Sequence, residues 1–289
     1  MGAVLAIDIG GTKLAAGVVD EHGVVLRRGQ RPTGHASADA LFERVAALAA
    51  DVQGDASVAA VGVGCGGPMT PGGEAVSPLN IAAWRDFPLR SALAERFSLE
   101  VVVDNDAKAF ALGEGWVGAA RGERDFLAMV VSTGVGAGLV VDGRLLDGAS
   151  GNAGHLGHVI VEPDGRRCPC GADGCLEAEA SGTSLAAMTG RPAAEAGDEL
   201  RRRTGRLVGR AVASAVNLLD LRLAVVGGSV ALGYGEPFLA AANAELAARS
   251  RLSFARGARI VTAGLGHDGP LVGAAALAWR RLGAAGVPG

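Results

Sequence analysis

Apolar positions in this chain recur at two periods, and the switches between them outline the elements. Residues 3–9 (AVLAIDI) form a nearly unbroken apolar run that predicts a buried strand. LAAGVVD predicts a second strand, EHG a turn and VVLRRGQ a third strand, so the chain opens as an antiparallel meander. Ala38–Asp51 shows helical spacing, Ala56–Val63 reads as a strand and Ser91–Arg96 as a helix. Leu99–Val103 is a further strand, and Asp104-Asn105-Asp106 leads from it into the helix AKAFALGEGW.

The second half restarts the same pattern. Asp125–Val131 is a strand, STGVGAG a glycine turn and LVVDGRLL two short strands. AIDIGGTKLAAGVVDEHGVVL and AMVVSTGVGAGLVVDGRLL thus share one order of strand, glycine-threonine turn, strand, turn, strand, an internal repeat about 120 residues apart. Two related α/β domains facing each other across a cleft are expected. Beyond the repeat, Ser184–Thr189, Pro192–Thr204 and Leu207–Leu219 predict three helices, and Leu223–Val226 a strand ending in Gly227-Gly228-Ser229. Pro237–Arg249 predicts a helix, Ile260–Ala263 a strand and Gly269–Leu282 a helix of small residues suited to close packing.

Composition narrows the function classes. With 289 residues and 49% apolar content, two ordinary cores can be filled. No run approaches the ~18 uninterrupted apolar residues of a membrane helix, and the first residues lack a basic leader, so a cytoplasmic protein without a membrane partner is expected. A net charge of −3 gives no field for nucleic acid, and the basic run Arg201–Arg206 reads as a solvated helix face. Of the 27 basic residues only Lys13 and Lys108 are lysines.

Chemistry concentrates in Gly151–Glu179 (GNAGHLGHVIVEPDGRRCPCGADGCLEAE). Cys168, Cys170 and Cys175 are closely spaced soft ligands, and His158 can supply a fourth, which predicts a closed structural zinc site in a reducing compartment. His155 and Glu177 border this set and are free to face another ligand. Asp8, followed by Gly10, Gly11, Thr12 and Lys13, sets a carboxylate beside bare amides, a combination suited to phosphate oxygens and magnesium-bound water. Thr133, Gly134 and Gly136 form the second such turn, so that one polyphosphate would be gripped from both domains. Gly227, Gly228 and Ser229 suit a base and ribose. Gly62, Gly64 and Gly67 match G-x-G-x-x-G, yet Pro68 and Pro71 stand where a dinucleotide fingerprint needs a helix, so a nicotinamide site is excluded. Asn80 can both donate to and accept from sugar hydroxyls, and Asp106 at a strand-to-helix junction is placed as a catalytic base.

These motifs together, Asp8-x-Gly-Gly-Thr, Asn105-Asp106, STGVGAG and above all GNAGHLGH with CPCGADGCLEAEASG, resemble the ROK family of sugar kinases within the actin and hexokinase superfamily. The resemblance covers essentially the whole chain. It implies an α/β, two-lobed, ribonuclease H-like fold of mixed sheets flanked by helices. Residues 1–116 would form the first lobe, with the final helix (about 270–285) packing back on it, and residues 117–269 the second. It further implies Asp106 as the catalytic aspartate, sugar contacts from Gly67, Asn80, Asn105, His155, His158 and Glu177, and zinc on His158, Cys168, Cys170 and Cys175. ATP and Mg2+ as cofactors and a homodimer are also implied. Family repressors carry an N-terminal helix-turn-helix domain; this chain enters its first strand at about the third residue, so a DNA-binding element is not expected.

Glucokinases of the family usually have a glutamate where His155 stands. The AGHLGH form, with LAIDIGGTKLAA, VVGGSV and GHDGPLVGAAAL, is similar to the family's N-acetylmannosamine kinases, which implies that sugar. NIAAW at Asn80–Trp84 resembles the glucokinase pattern and keeps glucose as the alternative. A zinc hydrolase would instead need an open coordination position, and a non-catalytic sugar sensor would bind sugar without turning over ATP.

Overall fold

Two five-stranded mixed sheets carry the fold in a computed structural model that describes residues 2–289. In the first, β1 (Ala3–Ile9), β2 (Lys13–Asp20) and β3 (Val25–Pro32) form the antiparallel meander, and β4 (Val61–Cys65) and β5 (Val101–Asn105) add in parallel, giving the order β3-β2-β1-β4-β5. In the second, β6 (Phe126–Val131), β7 (Val135–Val141), β8 (Arg144–Leu145), β9 (Leu223–Gly227) and β10 (Arg259–Thr262) run in the order β10-β9-β6-β7-β8. Numbered from its own first strand, the second sheet has the same order as the first. The internal repeat in the sequence is therefore a repeat of topology.

The chain divides into two compact units, one of Met1–Gly122, Leu145–Ala153 and Leu265–Gly289, the other of Glu123–Arg144 and Gly154–Gly264. The first has its own core, in which Leu5, Ile7 and Ile9 of β1 and Val61 and Val63 of β4 meet Leu41, Val45 and Leu48 of α1 (Ala38–Gln53). Here α1 is capped by Ser37, whose side chain accepts from the Ala40 N–H. Trp84, noted in the sequence beside Asn80, is fully buried in this core, with Nε1 donating to the Ala38 carbonyl. The other helices of this unit are α2 (Leu89–Phe97), α3 (Asp106–Val117) and α8 (Gly269–Arg281).

The second unit builds its core from β6, β9 and three helices, α5 (Gly182–Thr189), α6 (Asp198–Leu219) and α7 (Ser229–Arg249), with the short α4 (Leu176–Ala180) at its edge. The sequence predicts separate helices on either side of Gly205, but α6 runs unbroken through it. The reason is contact: a Cβ on Gly205 would lie 2.2 Å from the Phe238 carbonyl oxygen, and one on Gly209 2.3 Å from that of Ala242. Glycine is thus kept in the helix interior because α7 packs against bare backbone there, which outweighs its low propensity. Likewise α7 begins at Ser229, eight residues before the predicted start, and absorbs Pro237 with a kink at Gly235 (φ 58°). Among the described residues no helix is long and apolar enough to cross a membrane.

Close approach also seats α8. A Cβ on Gly62 of β4 would fall 1.9 Å from the Ala274 carbonyl oxygen, and Gly113 of α3 and Gly273 of α8 pack backbone to backbone. Gly62→Ala is expected to cost about 3 kcal/mol or more, because neither a strand nor a helix backbone can yield. Gly233→Ala, on the exposed side of α7 with open space around it, is expected to be neutral or to gain up to about 1 kcal/mol. Urea unfolding of the two variants, compared at unchanged m, checks the contrast.

Candidate functional site

The parallel strands of the first unit bring its polar residues to one edge. Asp8 lies opposite Gly64, and Gly64 opposite Asp104; one step on, Ile9, Cys65 and Asn105 are in register. All stand at the carboxyl ends of β1, β4 and β5, where open α/β sheets place their ligands. The start of α3 packs directly over Gly64, with the Asp106 Cα 3.4 Å from where a Gly64 Cβ would be, an ordinary contact distance.

Asn105 is the N-cap of α3: its Oδ1 accepts from the Ala107 N–H at 3.0 Å and the Lys108 N–H at 3.4 Å. Asp106 occupies the first helical position, one carboxylate oxygen accepting from the Ala107 N–H at 2.8 Å. Desolvation pushes the Asp106 carboxyl up, against the pull of backbone N–H groups. Asp8 is raised to about 7, first by desolvation, then by the Asp106 charge, with Lys13 drawing it down. Burial and the same two carboxylates also push the Cys65 thiol well up.

The turn after β1 is fastened at Gly10, whose N–H donates to the Lys13 carbonyl and whose own carbonyl accepts from Thr33 Oγ1 at 2.7 Å, leaving Gly11, Thr12 and Lys13 exposed. A Cβ on Gly11 would lie 2.6 Å from that of Asn80, so only glycine lets the exposed Asn80 approach. Gly67 faces the Asn105 amide: its Cβ position is 3.5 Å from Nδ2. The structure therefore brings Asp8, Gly10, Gly11, Gly67, Asn80, Asn105 and Asp106 together on the first unit.

On the second unit, His158 closes a 3₁₀ turn (Leu156–His158) and α4 starts directly after Cys175. The ligand atoms of His158, Cys168, Cys170 and Cys175 all lie within 4.8 Å of one another. His158 Nδ1 is 3.7 Å from Cys168 Sγ, and Cys170 Sγ is 3.6 Å from Cys175 Sγ. A tetrahedron with metal–sulfur arms of ~2.3 Å has edges of about 3.7 Å, so the spacing fits a four-coordinate ion. The thiols also differ: burial pushes Cys175 up to about 12, whereas the Ala172 N–H leads in drawing Cys170 down to about 7. A divalent cation would supply the charge that three adjacent thiolates require.

His155 stacks near His158, ring centroids 5.9 Å apart. Burial first, and then the His158 charge, hold its imidazole below its ordinary range, with Glu177 pulling the other way. That favours the neutral imidazole, with one donor and one acceptor. Glu177, in the first turn of α4, spends Oε2 on the Val135 N–H at 2.9 Å.

A second cluster on this unit gathers at the ends of β6 and β9, whose register pairs Val130 with Gly227. Gly228, at φ 94°, would put a Cβ 2.4 Å from the Val131 carbonyl oxygen, and Ser229 Oγ lies 2.9 Å from Ser132 Oγ. Thr133 is exposed at the turn, its carbonyl accepting from Thr183 Oγ1 at 2.9 Å; Gly134 closes the turn, and Gly136 already lies within β7. Of these, Ser132, Thr133 and Ser229 open onto a pocket of about 300 Å³ that Thr183, Ala193, Ala194 and Tyr234 also line. Sequence reasoning missed those four. Tyr234 is the chain's one tyrosine, buried with its hydroxyl donating to the Ala193 carbonyl at 2.9 Å and its ring capped by Arg201, which was a usable signal.

Comparison with known proteins gives one consistent neighbourhood. The ROK family model matches residues 4–281. The chain is 38% identical to an N-acetylmannosamine kinase from Citrobacter koseri over 96% of this chain and 98% of that protein. It is 31% identical to a glucokinase from Thermotoga maritima over 97% and 98%. Among solved structures, a ROK family glucokinase from Streptomyces griseus in complex with glucose and AMPPNP superposes with a TM-score of 0.85 at 32% identity, covering 96% of this chain and 99% of that one.

Asp8 makes a pH prediction. It ionises at 3.8 as a free group and at about 7 in the fold, so between those values the folded state binds the extra proton. The buried charge thus costs stability that is fully felt above about pH 7 and vanishes as pH falls towards about 4. Asp8→Asn is expected to raise the melting temperature of the unliganded protein by several degrees at about pH 8 and by almost nothing at about pH 4, read by calorimetry across that range.

Proposed function

The chain belongs to the ROK family and is an ATP-dependent sugar kinase, and from that premise we propose that it phosphorylates the 6-hydroxyl of N-acetylmannosamine. The observation that carries the chemistry is the Asp8–Asp106 pair, one near the end of β1 and the other at the first position of α3. Asp106, one oxygen engaged by the Ala107 N–H, takes the proton of the attacking hydroxyl with the other; its raised pKa makes it a stronger base than an ordinary carboxylate. Asn105, with its oxygen spent on the helix cap, presents its amide N–H groups to the sugar beside Gly67. Asn80, His155, His158 Nε2 and Glu177 complete the sugar contacts.

The turns at Gly10–Lys13 and Thr133–Gly134 offer backbone N–H groups to the phosphates, and the pocket walled by Ser229, Thr183 and Tyr234 takes the base and ribose. A carboxylate held as high as Asp8 is drawn into its charged form by a cation, which suits it to magnesium's water shell. Bound magnesium supplies charge neutralisation on the transferring phosphoryl group.

His155 carries the choice of sugar. A glutamate there would only accept hydrogen bonds, whereas a neutral imidazole also donates, and an N-acetyl carbonyl needs a donor. The 38% identity to an N-acetylmannosamine kinase points the same way. Glucose is the second reading, favoured by NIAAW at Asn80–Trp84 and by the likeness to a glucose-bound relative.

A coupled ADP-release assay over N-acetylmannosamine, glucose, mannose, N-acetylglucosamine and fructose tests the assignment, and a higher kcat/KM for glucose reverses it. In the same assay Asp106→Asn should lower kcat roughly 10²- to 10⁴-fold while sugar binding by calorimetry stays close to wild type. A minor loss of kcat removes Asp106 from the role of base.

The reading includes structural zinc on His158, Cys168, Cys170 and Cys175, with no coordination position left for a reactive water. Metal analysis should return one zinc per chain, and Cys175→Ser should lower both the zinc content and the melting temperature. Full zinc loading of that variant counts against the four-ligand site.

A further inference from the structure

Lys108 is buried to within 1% of its surface, one turn into α3. Its ammonium has three partners: Asp104 Oδ1 at 2.9 Å, Asp147 Oδ1 at 2.8 Å and the Gly151 carbonyl at 3.2 Å. Three donors meet three acceptors, the condition under which a buried cation is tolerated. The latter two acceptors belong to Leu145–Ala153, the excursion that the chain makes into the first unit. That segment closes on itself through the Ala153 N–H and the Asp147 carbonyl at 2.9 Å. Lys108 thereby pins it to the turn of helix that carries Asp106.

The pinned segment presents Asn152. Its Oδ1 accepts from the Met69 N–H at 3.3 Å, and its Nδ2 donates to the Met69 carbonyl at 3.0 Å and to the Ser150 carbonyl at 3.0 Å. Met69 also forms an antiparallel bridge with Val76, flanked by hydrogen bonds from the Thr70 N–H to the Ala75 carbonyl and from the Ser77 N–H to the Pro68 carbonyl. In such a bridge the residue's own N–H and C=O point outward. Asn152 takes both, as a neighbouring strand would. The turn Gly66–Met69 is thus held from one side by backbone and from the other by one side-chain amide. Gly67 sits between: its Cβ position is 3.5 Å from Asn105 Nδ2 and 3.9 Å from Asn152 Oδ1.

We propose that Asn152, on the segment pinned by Lys108, is a positioning residue for the sugar, holding the Gly66–Met69 turn against Asn105 and Asp106. The inference rests on the sugar-kinase reading with Gly67 at the sugar. Asn152 touches no reacting atom in this arrangement; it sets where the turn lies. Since the Val76 bridge survives without it, its loss loosens the position of the turn and leaves the fold intact.

The test is Asn152→Ala in the full chain. Sugar KM should rise roughly tenfold, equivalent to about 1.4 kcal/mol, with ATP KM and melting temperature near wild type and kcat within about threefold. Asn152→Asp, which keeps the acceptor for the Met69 N–H and loses the donor, should fall between. Hydrogen exchange at the Met69 amide should speed up in the unliganded Ala variant, a readout that needs no activity. Unchanged exchange, an unchanged sugar KM, or parallel losses in sugar KM, ATP KM and melting temperature each overturn the proposal. Inactivity of the wild-type protein on every sugar would refute the kinase reading instead, and the exchange measurement would still decide whether Asn152 clamps the turn.

Discussion

Two carboxylates, Asp8 near the end of β1 and Asp106 at the start of the helix that follows β5, each raised by desolvation, are the constraint around which the first unit is arranged. Like charges in such a place repel, and a fold selected for stability alone would not hold them there. The backbone is shaped around them: α3 starts directly over β4, Asn105 rather than Asp106 caps the helix, and α8 is seated on β4 by the bare Gly62. With the cap supplied by Asn105, Asp106 engages the Ala107 N–H through one oxygen only. Desolvated carboxylates cost stability locally, the trade expected where a fold is arranged for chemistry.

The same sheet order serves a different end in the second unit. There the edge where β6 and β9 finish carries hydroxyls and glycine, Ser132, Thr133, Gly228 and Ser229, in place of acids. Charge in this unit is concentrated in a long insertion between the meander and β9, where His155, His158, Glu177 and the cysteines stand. Glu177 and His155 are both restrained, one by the Val135 N–H and the other by burial that keeps it uncharged. One topology has thus been specialised by what stands at its strand ends and in one insertion.

Much of this was legible in residue pattern. Apolar runs and glycine turns located the strands of both sheets, and the spacing of Cys168, Cys170 and Cys175 with His158 identified the ligand cluster. What escaped the pattern depended on contacts distant in sequence. Gly205 looked like a helix end because local propensity does not know that Phe238 lies against it; Gly235 and Pro237 looked like a start because a kink and a cap share residues. The burial of Trp84, whose indole donates to Ala38 in the core, depends on a helix that begins 46 residues earlier and had no local signal. Thr183, Ala193 and Ala194 carried no motif at all, since their role comes only from facing Ser132 and Ser229 across a pocket.

Lys108 shows how composition and geometry can meet in one residue. Twenty-five of the chain's 27 basic residues are arginines, so a lysine here stands against the prevailing choice. An arginine at position 108 would bring five donors in a rigid plane to a buried place with three acceptors, leaving N–H groups unsatisfied. The compact ammonium matches Asp104, Asp147 and the Gly151 carbonyl one to one. Because Asp104 stands next to last in β5 and Lys108 follows Asp106 by two residues, the ion cluster is built into the same strand-to-helix turn as Asp106. A segment tied there moves with that turn, which is why a side chain as distant in sequence as Asn152 can act on the geometry at Gly67.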